Sequence, residues 1–420
     1  MNAPYRRGAC PGLSAPMLTG DGLLVRLTPS AATIALEAFA GLLEAARQHG
    51  NGIVEITSRG NFQFRGLSAS SAPAFAAAVG SLDIGVSEGI PVLSNPLSSL
   101  DATEILDAGV RAGTLREALA AASFAAKLAP KVSVVVDGGG ALHLDDIVAD
   151  IRLRAVVVRG DPHLHIALGG DATTAVPLGA VPAASAVDCV LRLLALLAAR
   201  GAQSRMRHAI DANGVSIFKA AVADVMVDEP PPPVRLAAEP IGIHPLRAGA
   251  TAVGIGLPFG HSQSETLTRL IDVARSAGAD GVRTAPGRAL LVAGIPSTNA
   301  RRFAADAEKL GFIVDPDDPR RKVVACAGAP ICASGQIPAR QIAPAIAIAA
   351  GALLQAGDVV HISGCPKGCA HPGPACVTVY GRDGICDVHV DGALLRSVTA
   401  DALPGLIAQI VQSRAEPKHG

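Results

Sequence analysis

The strongest constraint on how this 420-residue chain folds is that it writes one order of elements twice, on either side of four consecutive prolines at 230–233. Consecutive prolines favour an extended conformation and cannot continue a helix, so 229–245 is expected to be an interdomain connector. Upstream, GLLVRL (22–27) has the pattern of a short strand, 31–49 carries helical apolar spacing that ends at Gly50, and 52–67 reads as a hairpin turning near Arg59-Gly60-Asn61. Downstream the order returns: AVGIGL (252–257) as the strand, 264–277 as a helix stopped by Gly278, and 281–295 as a hairpin turning at Pro286-Gly287. Strand and hairpin begin 30 residues apart in the first copy and 29 in the second. A second helix, at 72–80 and again at 298–310, followed by a further strand, completes a β-α-β-β-α-β plan that is ferredoxin-like in topology.

The repetition runs on. VLSNPLSSLD (92–101) stands where VACAGAPICAS (324–334) does, and KVSVVVDGGG (131–140) where DVVHISGCPKG (358–368) does. VVVRGDPHLHIALGG (156–170) parallels VTVYGRDGICDVHVDG (377–392), and a helix follows each. Similar strands recur in many α/β chains, but four matches in one order point to duplication. The expected architecture is α+β: ferredoxin-like halves at 1–105 and 246–320, each followed by an α/β domain, at 106–228 and 321–420. A pseudo-twofold axis between the copies would leave a ligand crevice at their junction.

Composition narrows the function classes. Lys plus Arg (36) equals Asp plus Glu (36), so no overall field gathers nucleic acid or an anionic membrane. Aromatics are 3% with no Trp, too few for a base-stacking surface. The opening MNAPYRRGACPGLSAPML lacks an apolar signal core. The longest apolar stretch, 342–354, is 13 residues with Pro344 inside it, against the ~20 that a membrane span needs. Neither nucleic acid nor membrane is expected as a partner, and the expected location is cytoplasmic.

The copies differ in their thiols. Cys326 and Cys332 form a C-x5-C pair and Cys365 and Cys369 a C-x3-C pair, each just after an expected strand (322–325 and 359–363). The first copy has Ser94 in place of Cys326 and Gly138 in place of Cys365, so metal chemistry is assigned to the second copy alone. Gly328, Gly364 and Gly368 let the backbone wrap closely, with N–H groups near the sulfurs. Four thiolates at wide, unequal spacing suit an iron–sulfur cluster. Structural zinc prefers tighter pairs, and two pairs of buried free thiols are the remaining reading. Cys10, Cys189, Cys376 and Cys386 lack such spacing and are expected to be structural. No G-x-G-x-x-G opens a helix after a strand, since GIGLPFG (254–260) has the wrong spacing.

These motifs resemble those of the sirohaem sulfite and nitrite reductase superfamily: the two cysteine pairs, with GCPKGC in the second, on duplicated ferredoxin-like units each followed by a sulfite-reductase-like domain. TGDGLLVRL after RRGACPGL, PKVSVVVDGGG and GCPKGCAHPGPA are most similar to its precorrin-3B synthase branch. The resemblance implies a [4Fe–4S] cluster on Cys326, Cys332, Cys365 and Cys369. It implies oxygen-dependent hydroxylation of precorrin-3A with γ-lactone formation, in aerobic cobalamin biosynthesis. Electrons would come from NADH through a reductase, or from a ferredoxin. In the reductases the last cysteine bridges cluster and haem iron; here that position is Cys369. Arg59 and Lys131 match basic positions around the tetrapyrrole. The reductases' second lysine is Ser133 here and their Arg-Asn pair is Ser94-Asn95, losses that suit a tetrapyrrole bound as substrate rather than as sirohaem. A sirohaem-dependent nitrite or sulfite reductase and a zinc-stabilised, non-catalytic tetrapyrrole-binding protein are the alternatives.

A polycarboxylate ligand on a neutral chain needs local cations. The expected contacts are Arg59, Lys131, Arg288 and Lys367, with Asn95, whereas Arg65 and Arg283 are expected to be solvated surface charges. His371 and His261 are candidate ligands of a mononuclear non-haem iron outside the cluster.

Overall fold

The computed structural model describes residues 11–29, 33–355, 357–371 and 373–415; the expectation for Cys10 lies outside them. The first unit contains β1 (Met17–Thr19), β2 (Gly22–Leu27), β3 (Ile34–Ala35), α1 (Leu36–His49), β4 (Ile53–Ile56), β5 (Phe62–Leu67) and α2 (Ser71–Gly80). The first α/β domain contains β6 (Val92–Ser94), α3 (Ala108–Ala121), β7 (Val134–Asp137), β8 (Ala149–Val158), β9 (Asp161–Gly170), β10 (Val176–Pro182), α4 (Ala186–Ala198), α5 (Met206–Asn213) and α6 (Ser216–Ala220). The second unit contains β11 (Gly242–Pro245), β12 (Ala250–Gly256), β13 (His261–Gln263), α7 (Ser264–Ala277), β14 (Gly281–Ala285), β15 (Ala289–Pro296) and α8 (Ser297–Lys309). The last domain contains β16 (Val323–Ala325), α9 (Ala339–Ala350), β17 (Val360–Ser363), β18 (Val377–Arg382), β19 (Ile385–Val390), β20 (Ala393–Val398) and α10 (Leu403–Ala415). No helix among the described residues is long and apolar enough to cross a membrane.

The duplication is explicit in the sheets. β6-β7-β8-β9-β10 and β16-β17-β18-β19-β20 have one topology, two parallel pairings and then two antiparallel ones. The ferredoxin-like sheets are β1-β2-β5-β4-β13 and β11-β12-β15-β14-β3, so each copy lends the other one short edge strand. His261 to Gln263 pairs with Glu55 to Ile53, and Ile34–Ala35 with Val282 and Gly281. This exchange corrects the expected helix at 31–49, which begins at Leu36. The strand expected after the second helix shrinks to one bridge in each copy, Pro29 with Val86 and Gly256 with Ile313. In the first copy Gly85 and Gly89, both at positive φ, and Pro91 interrupt that segment. The connector expected through 245 ends sooner, because Gly242–Pro245 is an edge strand on β12.

One core joins the two ferredoxin-like units: Phe39, Phe62, Phe64 and Phe75 share it with Leu270, Ile271 and Phe303. Each α/β domain has its own core. Four arginines on the two hairpins tie these bodies together. Arg59 donates to the Val148 carbonyl (2.7 Å) and Arg288 to the Ala370 carbonyl (3.0 Å), each within its own copy. Arg65 reaches the Ile331 carbonyl (3.2 Å) and Arg283 the Ser98 carbonyl (2.8 Å), each in the other copy. Arg65 and Arg283 are each 5% exposed, which overturns their expected place at the solvated surface. A guanidinium offers several donors in a planar fork and so suits a junction of carbonyls.

The hairpin turns meet at the pseudo-axis, where the Gly287 N–H donates to the Ser58 carbonyl (3.0 Å). Gly60 has φ +77°, and a Cβ there would sit 2.8 Å from the Ala285 carbonyl carbon. Gly60→Ala is therefore expected to cost at least about 1–2 kcal/mol of stability. The urea midpoints of the two proteins check this.

Candidate functional site

β16 and β17 lie side by side in parallel, with Ala325 opposite Ile362, so the loops that leave them emerge together. Cys326 follows directly on the first and Cys365 two residues beyond the second. The loops interlock through the backbone: Gln336 N–H donates to the Gly364 carbonyl (2.6 Å) and Gly364 N–H to the Cys326 sulfur (3.0 Å). A Cβ on Gly364 would lie 2.8 Å from the Gly328 Cα and 3.4 Å from that sulfur. No side chain larger than hydrogen fits there without moving the other loop. Burial pushes the Cys326 thiol up, the Gly364 and Gly328 N–H groups oppose that, and the Cys332 and Cys365 thiols add to it. Cys326, Cys332, Cys365 and Cys369 are all free thiols, with Cys369 exposed. Among the described residues no three His, Cys, Asp or Glu side chains stand in metal-holding geometry. What is preset is the backbone cradle, with four thiols on two interlocked loops. That donor set and close backbone approach fit an iron–sulfur cluster.

Lys367, between the last two cysteines, bridges to the Ser334 hydroxyl (2.8 Å) and so links the loops. Arg288 is held in the left-handed region at φ 64° and fastens the second hairpin to the Cys369 loop. The His371 ring nitrogen meets the Pro374 carbonyl (2.9 Å), and its ring packs edge-on against His361. His261 lies on β13 opposite Glu55, whose carboxylate pairs with Arg340 (2.5 Å). Neither His371 nor His261 belongs to a set of three metal-holding side chains among the described residues. Burial first, then the charge of Arg340, pushes His261 down to about 4, with Glu55 opposing. Burial does the same to His361, helped by His371 and Arg288. The unfolded chain takes up these protons near pH 6.5 and the folded chain refuses them until about 4. Stability is therefore expected to fall as pH drops across that window. Denaturant midpoints at several pH values check the sign, and His261→Gln is expected to flatten the slope.

A second feature is a cleft of about 470 Å³ between the first ferredoxin-like unit and the first α/β domain. Arg59 and Lys131 line it together, joined by Arg26 and Arg205, against Glu88 on the wall. Arg205 is paired with Asp150 (2.9 Å). Arg26 donates to Gln63 (3.1 Å), while its Nε is buried without a partner among the described residues. Ser133 lines the cleft and lies 3.5 Å from Arg59. Leu13, Val92 and Leu93 supply an apolar wall. Asn95 borders an adjoining cavity of about 320 Å³. Its amide is committed internally, to Asp137, the Leu142 carbonyl and the Gly138 N–H.

Residues 15–82 match the nitrite/sulfite reductase ferredoxin-like half domain. A precorrin-3B synthase of Sinorhizobium sp. is 39% identical over 93% of this chain and 84% of its own length. The chain belongs to the precorrin-3B synthase family. A ferredoxin–nitrite reductase of Synechococcus elongatus is 25% identical over 86% of the chain and 80% of its own. The Mycobacterium tuberculosis NirA structure superposes with a TM-score of 0.78 at 22% identity, covering 95% of this chain and 82% of that one, a likeness of fold. The duplicated architecture of this chain thus has the fold of NirA. Sequence reading passed over Arg26, Arg205, Arg340 and His361. Arg26 is the one charge in GLLVRL and His361 the one ring in an apolar strand, signals that only burial makes legible.

Proposed function

We propose that this chain hydroxylates precorrin-3A with dioxygen in the cytoplasm, a peripheral acetate closing a γ-lactone to give precorrin-3B. The observation that carries the reading is the convergence of Arg26, Arg59, Lys131 and Arg205 on one cleft with an apolar wall. A precorrin is an apolar macrocycle ringed by carboxylate arms, and guanidinium forks bind such arms in pairs. Ser133, in place of a lysine, leaves the cleft less suited to a small doubly charged anion and roomier for a large ring. Cys326, Cys332, Cys365 and Cys369 would hold a [4Fe–4S] cluster, which when bound supplies the single electrons that triplet dioxygen requires. The balance is one oxygen atom into the macrocycle and one to water, with two electrons and two protons from an external donor. A separate reductase using NADH, or a ferredoxin, is that donor. The chain's own residues orient the ring, neutralise its arms and keep the face to be oxidised out of bulk water.

The test is incubation of the cluster-loaded chain with precorrin-3A, a reductant and isotope-labelled dioxygen. The product is expected to carry one labelled oxygen atom. Unchanged substrate, together with turnover of nitrite or sulfite by the same preparation, would overturn the reading.

A further inference from the structure

Away from the cleft and the cysteine loops, one cavity is built of charged side chains that the proposed reaction leaves unused. On the first α/β sheet, Arg154 and Arg152 of β8 stand opposite His165 and Ala167 of β9, and Ala167 opposite Pro177 of β10. Strand alternation puts all five on one face. The proline connector lies over that face, and Pro231 and Pro232 help close a cavity of about 240 Å³ above it, with Asp145 at its side. The floor is deeply buried: His165 is 3% exposed and Arg152 6%.

Three guanidiniums meet three carboxylates here, so what the site lacks is a hydrogen-bond partner rather than a charge. Arg152, Arg154 and Arg235 surround two carboxylates, Asp137 and Asp145. Arg235 engages both carboxylates, whereas Arg154 stays 3.6 Å from Asp145. Arg152 donates instead to the Ile147 and Leu144 carbonyls, and Arg154 to the Pro233 carbonyl (2.7 Å). Asp171 keeps its charge, which supports Arg152, while its Oδ1 accepts from the hydroxyls and N–H groups of Thr173 and Thr174. Burial holds the Arg152 and Arg154 guanidiniums below their ordinary range, Arg235 adding to the effect, while the carboxylates oppose it. The His165 Nε2 is buried and has no hydrogen-bond partner among the described residues. Two guanidiniums and one unpartnered imidazole nitrogen line a half-open cavity.

We propose that this cavity is a binding site for a small oxyanion, of phosphate or carboxylate type, held between Arg152, Arg154 and His165 beneath the proline connector. Such a group brings acceptors only, to which the guanidinium N–H groups and an imidazole N–H can donate. Arg154 also holds Pro233, and Arg235 shares the carboxylates, so a bound anion clamps the connector between the two copies to the first α/β domain. The face in the same register of the last domain presents Thr378, Tyr380 and Asp387 instead. The site therefore belongs to the first copy alone.

Imidazole NMR of the full chain tests this, with inorganic phosphate and acetate as probes. The His165 Nε2 resonance is expected to move and saturate with at least one of them, the better probe naming the type of anion. Arg154→Gln is expected to raise the midpoint at least about tenfold. Arg59→Ala is expected to leave the midpoint unchanged, which separates this site from the substrate cleft. His165→Phe keeps the ring's bulk and gives a second readout: the anion-dependent rise in melting temperature expected of the unmodified chain is expected to shrink or vanish. A His165 resonance that stays fixed or drifts without saturating, or binding abolished by Arg59→Ala, would overturn the assignment.

Discussion

Cys332→Ser and Cys369→Ser proteins are expected to lose cluster iron and to fall to background turnover while remaining folded. Each removes one of four thiolates from loops that already interlock through Gln336, Gly364 and Cys326, so the cradle survives and the cluster does not. A serine hydroxyl is a harder and far less acidic ligand, unsuited to iron that prefers sulfur. Cys376→Ala is the matched control. Cys376 is 9% exposed and its sulfur faces the Val359 carbonyl (3.2 Å), so its loss is expected to cost packing but no iron. Iron and sulfide content, measured beside activity, distinguishes the two kinds of cysteine. Full activity in both loop variants would remove the cluster from the chemistry.

Arg59→Ala is expected to weaken tetrapyrrole binding with cluster iron unchanged. Arg59 lines the cleft together with Arg26 and Lys131, and also ties the first hairpin to the Val148 carbonyl. Losing one charge-assisted contact to a carboxylate costs about 2 kcal/mol, roughly thirtyfold in affinity. Arg26→Ala is expected to act in the same direction from the neighbouring strand of the same wall, without disturbing the junction at Val148. Fluorescence titration with a precorrin, beside iron analysis, checks both. Unchanged affinity in both variants would move the substrate out of this cleft.

Much of the architecture was legible because periodicity is local. The hairpins, the helix at 264–277 and the paired strands before the cysteines follow from alternation, capping glycines and turn residues that neighbours in sequence supply. The exchange of β3 and β13 between copies was not legible. Two- and three-residue strands carry no periodicity of their own, and their partners lie some two hundred residues away. The same reason explains Arg65 and Arg283: a charge in a hairpin looks solvent-facing until another domain's carbonyls are placed against it. At the site, cysteine spacing singled out four thiols, which lie on two interlocked loops, and Arg59 and Lys131 were matched by motif and meet in one cleft. Arg26 and Arg205 join them only through tertiary folding, and Asn95 proved to be spent within its own domain.

The account stands most directly on the metal and pigment content of the anaerobically purified chain. About four irons and four sulfides per chain are expected, with a broad violet absorption that dithionite bleaches and no Soret band before precorrin-3A is added. Stoichiometric zinc in a colourless protein, or Soret and α bands from a resident sirohaem, would contradict it.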